Sequence, residues 1–161
     1  SEYKTFWTGE RKSKARSLGL SQSEVTTLAS IVQAEQHLHS EERKTIAGLY
    51  LNRLNRGMKL QSDPTVVYAL GDFSINRVLT KHLQVDSPYN TYKYAGLPPG
   101  PINIPYKQSI DAVLNADEHN YLYMCAKDDF SGYHAFATNL SQHNRNARAF
   151  QRALNERGIY R

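Results

Sequence analysis

Glu35 is the residue whose setting most invites chemistry. It stands three positions after Val32, four after Ile31 and seven after Leu28. On a helix this spacing puts a carboxylate in the apolar stripe. Glutamate is rarely withdrawn from water, and desolvation disfavours its anion and raises its pKa. A carboxyl still protonated near neutral pH is what a general acid requires. Fraying of the helix at Gln36, or an ion pair with an arginine, would leave Glu35 an ordinary acid.

Two polar segments can accompany it. Gln61-Ser62-Asp63-Pro64-Thr65 gathers hydrogen-bonding side chains around a rigid proline. It reads as a helix cap made by Asp63, or as a polar wall for a sugar with a second carboxylate. Ser87-Pro88-Tyr89-Asn90-Thr91-Tyr92 mixes rings with amide and hydroxyl groups. Sugars need both, although such a loop can equally pack on a core. Gly96-Leu97-Pro98-Pro99-Gly100-Pro101 reads as structural. Glu35, His37, His39 and Glu42 crowd one stretch, and alternating histidines can ligate zinc. No further histidine or cysteine stands at a recognisable spacing, so no metal and no cofactor are expected. His134 and His143 read as structural when taken alone. Cys125, the single cysteine, reads as an inert thiol in an apolar run. No nucleophile elbow or phosphate-binding glycine loop is present.

The elements that must position these residues follow from periodicity. Residues 1–20 predict a lead-in helix. Ser21 and Glu24 have capping-box spacing ahead of Val25, Leu28, Ile31 and Val32. Ser40 is expected to cap a second helix, with Glu41 and Glu42 in its first turn, Ile46, Leu49, Tyr50 and Leu54 inside, and Gly57 at its end. Asp63-Pro64 predicts a capped helix to Leu70, stopped by Gly71. Ser74 to Leu83 reads as helical. Residues 86–105 hold five of the six prolines and predict an ordered loop or short strands, a length that is usually functional. A helix over Tyr106 to Leu114 follows. Strands over Tyr121 to Ala126 and Tyr133 to Ala137 form a hairpin. A final helix runs from Leu140 to Glu156 with Ala147, Phe150 and Leu154 inward. The expected fold is α+β, several helices around a small, mainly antiparallel sheet, in one domain over 1–161.

Composition agrees with one globular domain: 161 residues, 40% apolar and 22% charged. The net charge of +5 favours anionic partners without choosing among nucleic acid, acidic lipid and wall polymer. Without a nucleic-acid-binding signature, no nucleic-acid partner is expected. No apolar run approaches a membrane span.

The run Leu28-Ala29-Ser30-Ile31-Val32-Gln33-Ala34-Glu35 resembles the signature helix of the MltG/YceG-like endolytic murein transglycosylases. So do Asn52-Arg53-Leu54, the segment from Gly57-Met58 through Leu60-Gln61-Ser62-Asp63-Pro64-Thr65-Val66, and Ser87-Pro88-Tyr89-Asn90-Thr91-Tyr92. Gly96 to Ile102, Tyr121-Leu122-Tyr123, His134 with Phe136, and His143-Asn144 complete the likeness over residues 5–155. The resemblance implies a lyase that cuts within nascent glycan strands of peptidoglycan, between N-acetylmuramic acid and N-acetylglucosamine, leaving a 1,6-anhydro end. It implies that Glu35 is the acid–base residue. Gln33 stands where the family pattern carries another acid. Asn52, Gln61, Ser62, Asp63, Tyr89, Asn90, Thr91 and His134 are the implied substrate-binding residues. Arg53 reads equally as an ion-pair partner. The family's architecture implies a missing amino-terminal membrane helix and LysM-like module, hence an inner-membrane protein facing the periplasm or wall, with peptidoglycan synthases as possible partners.

Two other readings stand beside this one. A glycoside hydrolase would use Glu35 with Asp63 or Asp86, because managing water requires two carboxylates. A glycan-binding module would use the same cleft without cleavage.

Overall fold

The computed structural model describes residues 2–158; residue 1 and residues 159–161 of the single-domain reading lie outside it. Among the described residues, seven α-helices and one two-stranded sheet make an α+β fold.

The lead-in is two helices, α1 (Glu2–Phe6) and α2 (Gly9–Ser17), not one. Thr8 breaks them, its Oγ1 accepting the Arg11 amide at 3.3 Å. Phe6 and Trp7 at the break are buried in the main core. The segment therefore packs against the same core as the helices that follow.

Helix α3 (Gln22–Glu35) begins with the full capping box: Glu24 N donates to Ser21 Oγ at 3.1 Å, and Ser21 N to Glu24 Oε1 at 2.9 Å. Val25, Leu28, Ile31 and Val32 are wholly buried against the neighbouring helices. The helix stops because Gln36 turns extended at φ −142°. Arg43 Nε then donates to the Gln36 carbonyl at 2.9 Å and satisfies it.

Ser40–Glu42 forms a 3-10 turn before α4 (Arg43–Asn55). Ser40 does not cap α4; it lies inside the turn, and no side chain caps either element. Ile46, Leu49 and Tyr50 are buried and Leu54 packs at the core's edge. Gly48 permits a close approach: a Cβ there would sit 2.3 Å from the Asp117 carbonyl oxygen.

Helix α5 (Asp63–Leu70) ends at left-handed Gly71, φ 69°. Its N-cap is Ser62, one residue earlier than Asp63, so Asp63 is free to serve the cleft. Between Ser74 and Leu83 the helical expectation fails except for a 3-10 turn at Thr80–Gln84. Residues 86–105 are a loop pinned by polar bonds. Ile102 N donates to Ser30 Oγ at 3.0 Å, and Asn103 Nδ2 to Ser30 O at 2.9 Å. Gln33, the departure from the family pattern, is buried. Its Oε1 accepts Tyr106 N at 2.7 Å and Ser109 Oγ at 2.8 Å. It thereby satisfies the start of α6 (Lys107–Leu114).

Strands β1 (Tyr123–Ala126) and β2 (His134–Ala137) pair antiparallel, with Met124 opposite Phe136 and Ala126 opposite His134. They are shorter than their apolar runs. Helix α7 (Leu140–Glu156) packs on the hairpin, capped by Asn139 Oδ1 accepting Gln142 N at 2.8 Å. Among the described residues no helix is long and apolar enough to cross a membrane.

Candidate active site

Glu35 is the last residue of α3, so its side chain leaves the apolar core just where the helix ends. It is half-buried and lines a cavity of about 340 Å³ with Tyr50, Arg53, Gln61, Asp63 and His134. Leu49, Leu60 and Leu122 supply the cavity's apolar lining. Glu35 and Asp63 also line a second hollow, of about 770 Å³, walled by Tyr68, Phe73, Ile75 and Val78. The two carboxylates therefore stand where one groove passes into the next.

Burial raises the Glu35 pKa to about 7. The hydrogen bond from the Tyr50 hydroxyl to Glu35 Oε2 works the other way, Asp63 adds to the rise, and His134 opposes it. Tyr50 is itself held far above the usual phenol range, first by burial and then by the Glu35 charge. It is a firm donor at any working pH.

Asp63 is exposed, in the first turn of α5, and accepts the Tyr92 hydroxyl at 2.5 Å. Gln61 lines the cavity with φ 52°, an uncommon value for a residue other than glycine. Thr91 holds the segment: Gln61 N donates to Thr91 O at 3.2 Å and Ser62 N to Thr91 Oγ1 at 2.8 Å.

His134, at the start of β2, is aimed by Glu42. The Glu42 carboxylate takes His134 Nδ1 at 2.6 Å and the His134 amide at 3.0 Å. Gln36 Nε2 donates to the same carboxylate at 2.8 Å. Glu42 is 8% exposed. Burial alone would raise its pKa, but these donors together hold it below the usual value. With Nδ1 occupied, the other ring nitrogen, Nε2, is left for the cavity.

Glu35, Gln61, Asp63 and His134 thus meet at the cavity. Ser62, Asn90 and Thr91 are buried behind it. Asn90 Nδ2 donates to the Leu83 and Val85 carbonyls, and its Oδ1 accepts Tyr92 N, fixing the loop that carries Tyr92. Tyr89 packs on Tyr68 with ring centroids 4.8 Å apart, behind the second hollow. Asn52 points away. Its Nδ2 donates to the His119 and Tyr121 carbonyls and steadies the approach to β1.

Spacing hid Tyr50 and Glu42. Tyr50 sits in an apolar stripe and reads as core, yet a buried tyrosine hydroxyl needs a partner. Glu42 reads as a helix-start acid, and only the returning hairpin brings it His134.

The clustered Glu35, His37, His39 and Glu42 do not converge. His39 Nε2 meets Ser131 O at 2.7 Å and its ring stacks on Tyr133, while Glu42 turns to His134. Among the described residues no three such side chains gather as metal ligands. Asp86 lies outside both hollows, beside Tyr94 and Lys93.

The sequence model of the YceG-like family matches residues 1–149. The chain belongs to the YceG-like family. An endolytic murein transglycosylase of Bacillus subtilis (strain 168) is 40% identical over 146 residues, covering 91% of this chain and 39% of that protein. Another, from Streptococcus pneumoniae serotype 2 (strain D39 / NCTC 7466), is 39% identical over 138 residues, covering 83% of this chain and 25% of that one. The chain therefore spans well under half the length of these relatives. The crystal structure of a YceG-like protein from Listeria monocytogenes, lmo1499, superposes with a TM-score of 0.75 at 39% identity. That match covers 83% of this chain and 43% of the other.

Proposed function

We propose that this chain is the catalytic part of a peptidoglycan lytic transglycosylase. It cuts inside glycan strands between N-acetylmuramic acid and N-acetylglucosamine, with Glu35 as both acid and base. The observation that carries this reading is a single half-buried carboxyl, with its pKa raised to about 7, where two hollows meet. The names of the two curated relatives support the same substrate.

The neutral Glu35 carboxyl gives its proton to the glycosidic oxygen as the C1–O bond breaks. Positive charge develops at C1 and the ring oxygen. The Asp63 carboxylate, aimed by Tyr92, opposes that charge. The Glu35 carboxylate then takes the proton of the C6 hydroxyl, whose oxygen closes on C1. The product is a 1,6-anhydro ring and no water is consumed. The nucleophile belongs to the substrate, so proximity replaces a second catalytic carboxylate. A groove continuing on both sides of Glu35 suits a cut within a strand. Gln61 and His134 are positioned to hold sugar hydroxyls. The whole protein is proposed to sit on the inner membrane through a separate amino-terminal anchor, facing the wall, with peptidoglycan synthases as its partners.

Asp63 in the same groove favours one competing reading, a two-carboxylate hydrolase. Uncrosslinked strands, incubated with this chain and with Glu35→Gln, separate the two by product mass. Ends lighter by one water that require Glu35 support the lyase. Reducing ends move the reading to the hydrolase, and strands bound but never cut make the chain a binding module.

A further inference from the structure

Arg53, on α4, is a buried cation without a counter-ion among the described residues. It is 6% exposed and lines the 340 Å³ cavity that holds Glu35. Its Nε donates to the Leu122 carbonyl at 2.6 Å and its Nη1 to the Lys59 carbonyl at 2.7 Å. Both acceptors are neutral. Among the described residues no carboxylate pairs with it. The two acids of the cavity are engaged elsewhere, Glu35 with Tyr50 and Asp63 with Tyr92. The nearest π-face is Tyr123, whose ring centroid lies 5.2 Å from the guanidinium carbon.

A buried charge is costly unless it is paired as well as hydrogen-bonded. Arginine is suited to carboxylates because its planar fork matches their two oxygens. Arg53 engages Nε and Nη1, and among the described residues its third nitrogen, Nη2, makes no hydrogen bond. Beside it, His143 stacks on Tyr123 at 5.2 Å and lines the same cavity. Its Nδ1 is buried with no hydrogen-bond partner among the described residues. Burial and then the Arg53 charge lower the His143 pKa, favouring its neutral form beside that cation.

The geometry points to an anion subsite at Arg53 that takes a carboxylate carried on the lactyl arm of muramic acid, either the arm's own or that of an attached peptide. This rests on the peptidoglycan reading above. The sugar rings of that substrate are neutral, and the lactyl arm is where acidic groups enter it. A charge held at Arg53 would seat the muramic acid, and so distinguish its two glycosidic bonds, in the cavity that contains Glu35.

The test is binding to the wild-type chain. The probe is the disaccharide N-acetylglucosaminyl-N-acetylmuramic acid, which lacks the scissile bond. It is used in three forms: with a free lactyl carboxylate, with an alanyl-glutamate peptide bearing free carboxylates, and with every carboxyl capped as an amide. At least one acidic form is expected to bind about tenfold tighter than the capped form, the worth of one charge-assisted hydrogen bond. The Arg53 Nε–H NMR signal should shift with it. Whichever acidic form is preferred names the source of the carboxylate. Equal affinities, no binding by the acidic forms, or a preference without an Arg53 response would overturn the proposal. Arg53→Gln should abolish the preference and Arg53→Lys keep part of it. If neither variant folds, the wild-type comparison still decides. Carboxylate discrimination without any strand cleavage would sink the catalytic reading and leave the subsite standing.

Discussion

Tyr50 and Glu35 face each other from adjacent helices, the phenol donating to the carboxylate at the mouth of the cleft. Burial drives the Glu35 proton on and the Tyr50 bond eases it off. The balance near 7 suits a group that must first give a proton and then take one. Tyr50→Phe removes only the easing influence. The alkaline limb of the pH–rate profile should move up by about one unit, roughly 1.4 kcal/mol of lost preference for the anion. A limb that stays in place would mean that Tyr50 does not tune Glu35.

Glu35 should also leave a mark on stability. Its folded pKa, about 7, lies above the ordinary value of 4.5. Between those values the folded state holds more proton than the unfolded state, so stability falls as pH rises through that window. Glu35→Gln cannot titrate. Its advantage over the parent in urea unfolding should grow from pH 4.5 to 7 by about 2–3 kcal/mol, since each unit is worth roughly 1.4 kcal/mol, and then level off. A constant difference across that range would refute the raised pKa.

Glu42 acts through His134. Its carboxylate accepts both the ring and the backbone nitrogen of His134 while also taking Gln36. Glu42→Gln brings donors to a place that needs only acceptors, so the ring should lose its fixed tautomer. Nitrogen-15 shifts of His134 should change from a protonated Nδ1 to a mixture. Turnover should fall about tenfold, consistent with loss of a positioned hydrogen bond. Normal shifts with reduced turnover would show a merely structural role.

Gly48 tests how the approach to the hairpin is carried. A Cβ there would lie 2.3 Å from a backbone oxygen of Asp117 and 2.7 Å from His119. Gly48→Ala would gain helix propensity, but the clash should dominate. The net expectation is a loss of roughly 2–4 kcal/mol, in the range of overpacked cores. Denaturant unfolding measures it. A variant as stable as the parent would show that residues 117–119 can lift off α4.

Legibility in the sequence followed the range of the interaction. The capping box at Ser21 and Glu24, the Gly71 stop and the stripe ending in Glu35 depend on neighbours within one or two turns, and all appear where spacing puts them. The Ser40 cap failed because Ser40 lies inside a 3-10 turn, and Glu42, which also lay in that predicted first turn, bonds His134, 92 positions away. Asn52, Asn90 and Thr91 carry the polarity that suggests sugar binding, yet their side chains satisfy backbone in the structure, far along the chain for Asn52 and Thr91 and within the same loop region for Asn90. Polarity alone does not tell a ligand's partner from a loop's.

By itself the sequence determined the helix that delivers Glu35, the α+β class and the family resemblance. Those rest on local periodicity and on residue order, which a linear chain carries directly. Only the tertiary structure decided what surrounds the carboxyl: Tyr50 from α4, Asp63 held by Tyr92, His134 aimed by Glu42, and Arg53 bonded to two backbone carbonyls with no carboxylate paired to it among the described residues. These pairings join residues 15 to 92 positions apart. Their distances and their shielding from water exist only after packing, and both the pKa of Glu35 and the unmet charge of Arg53 depend on that packing.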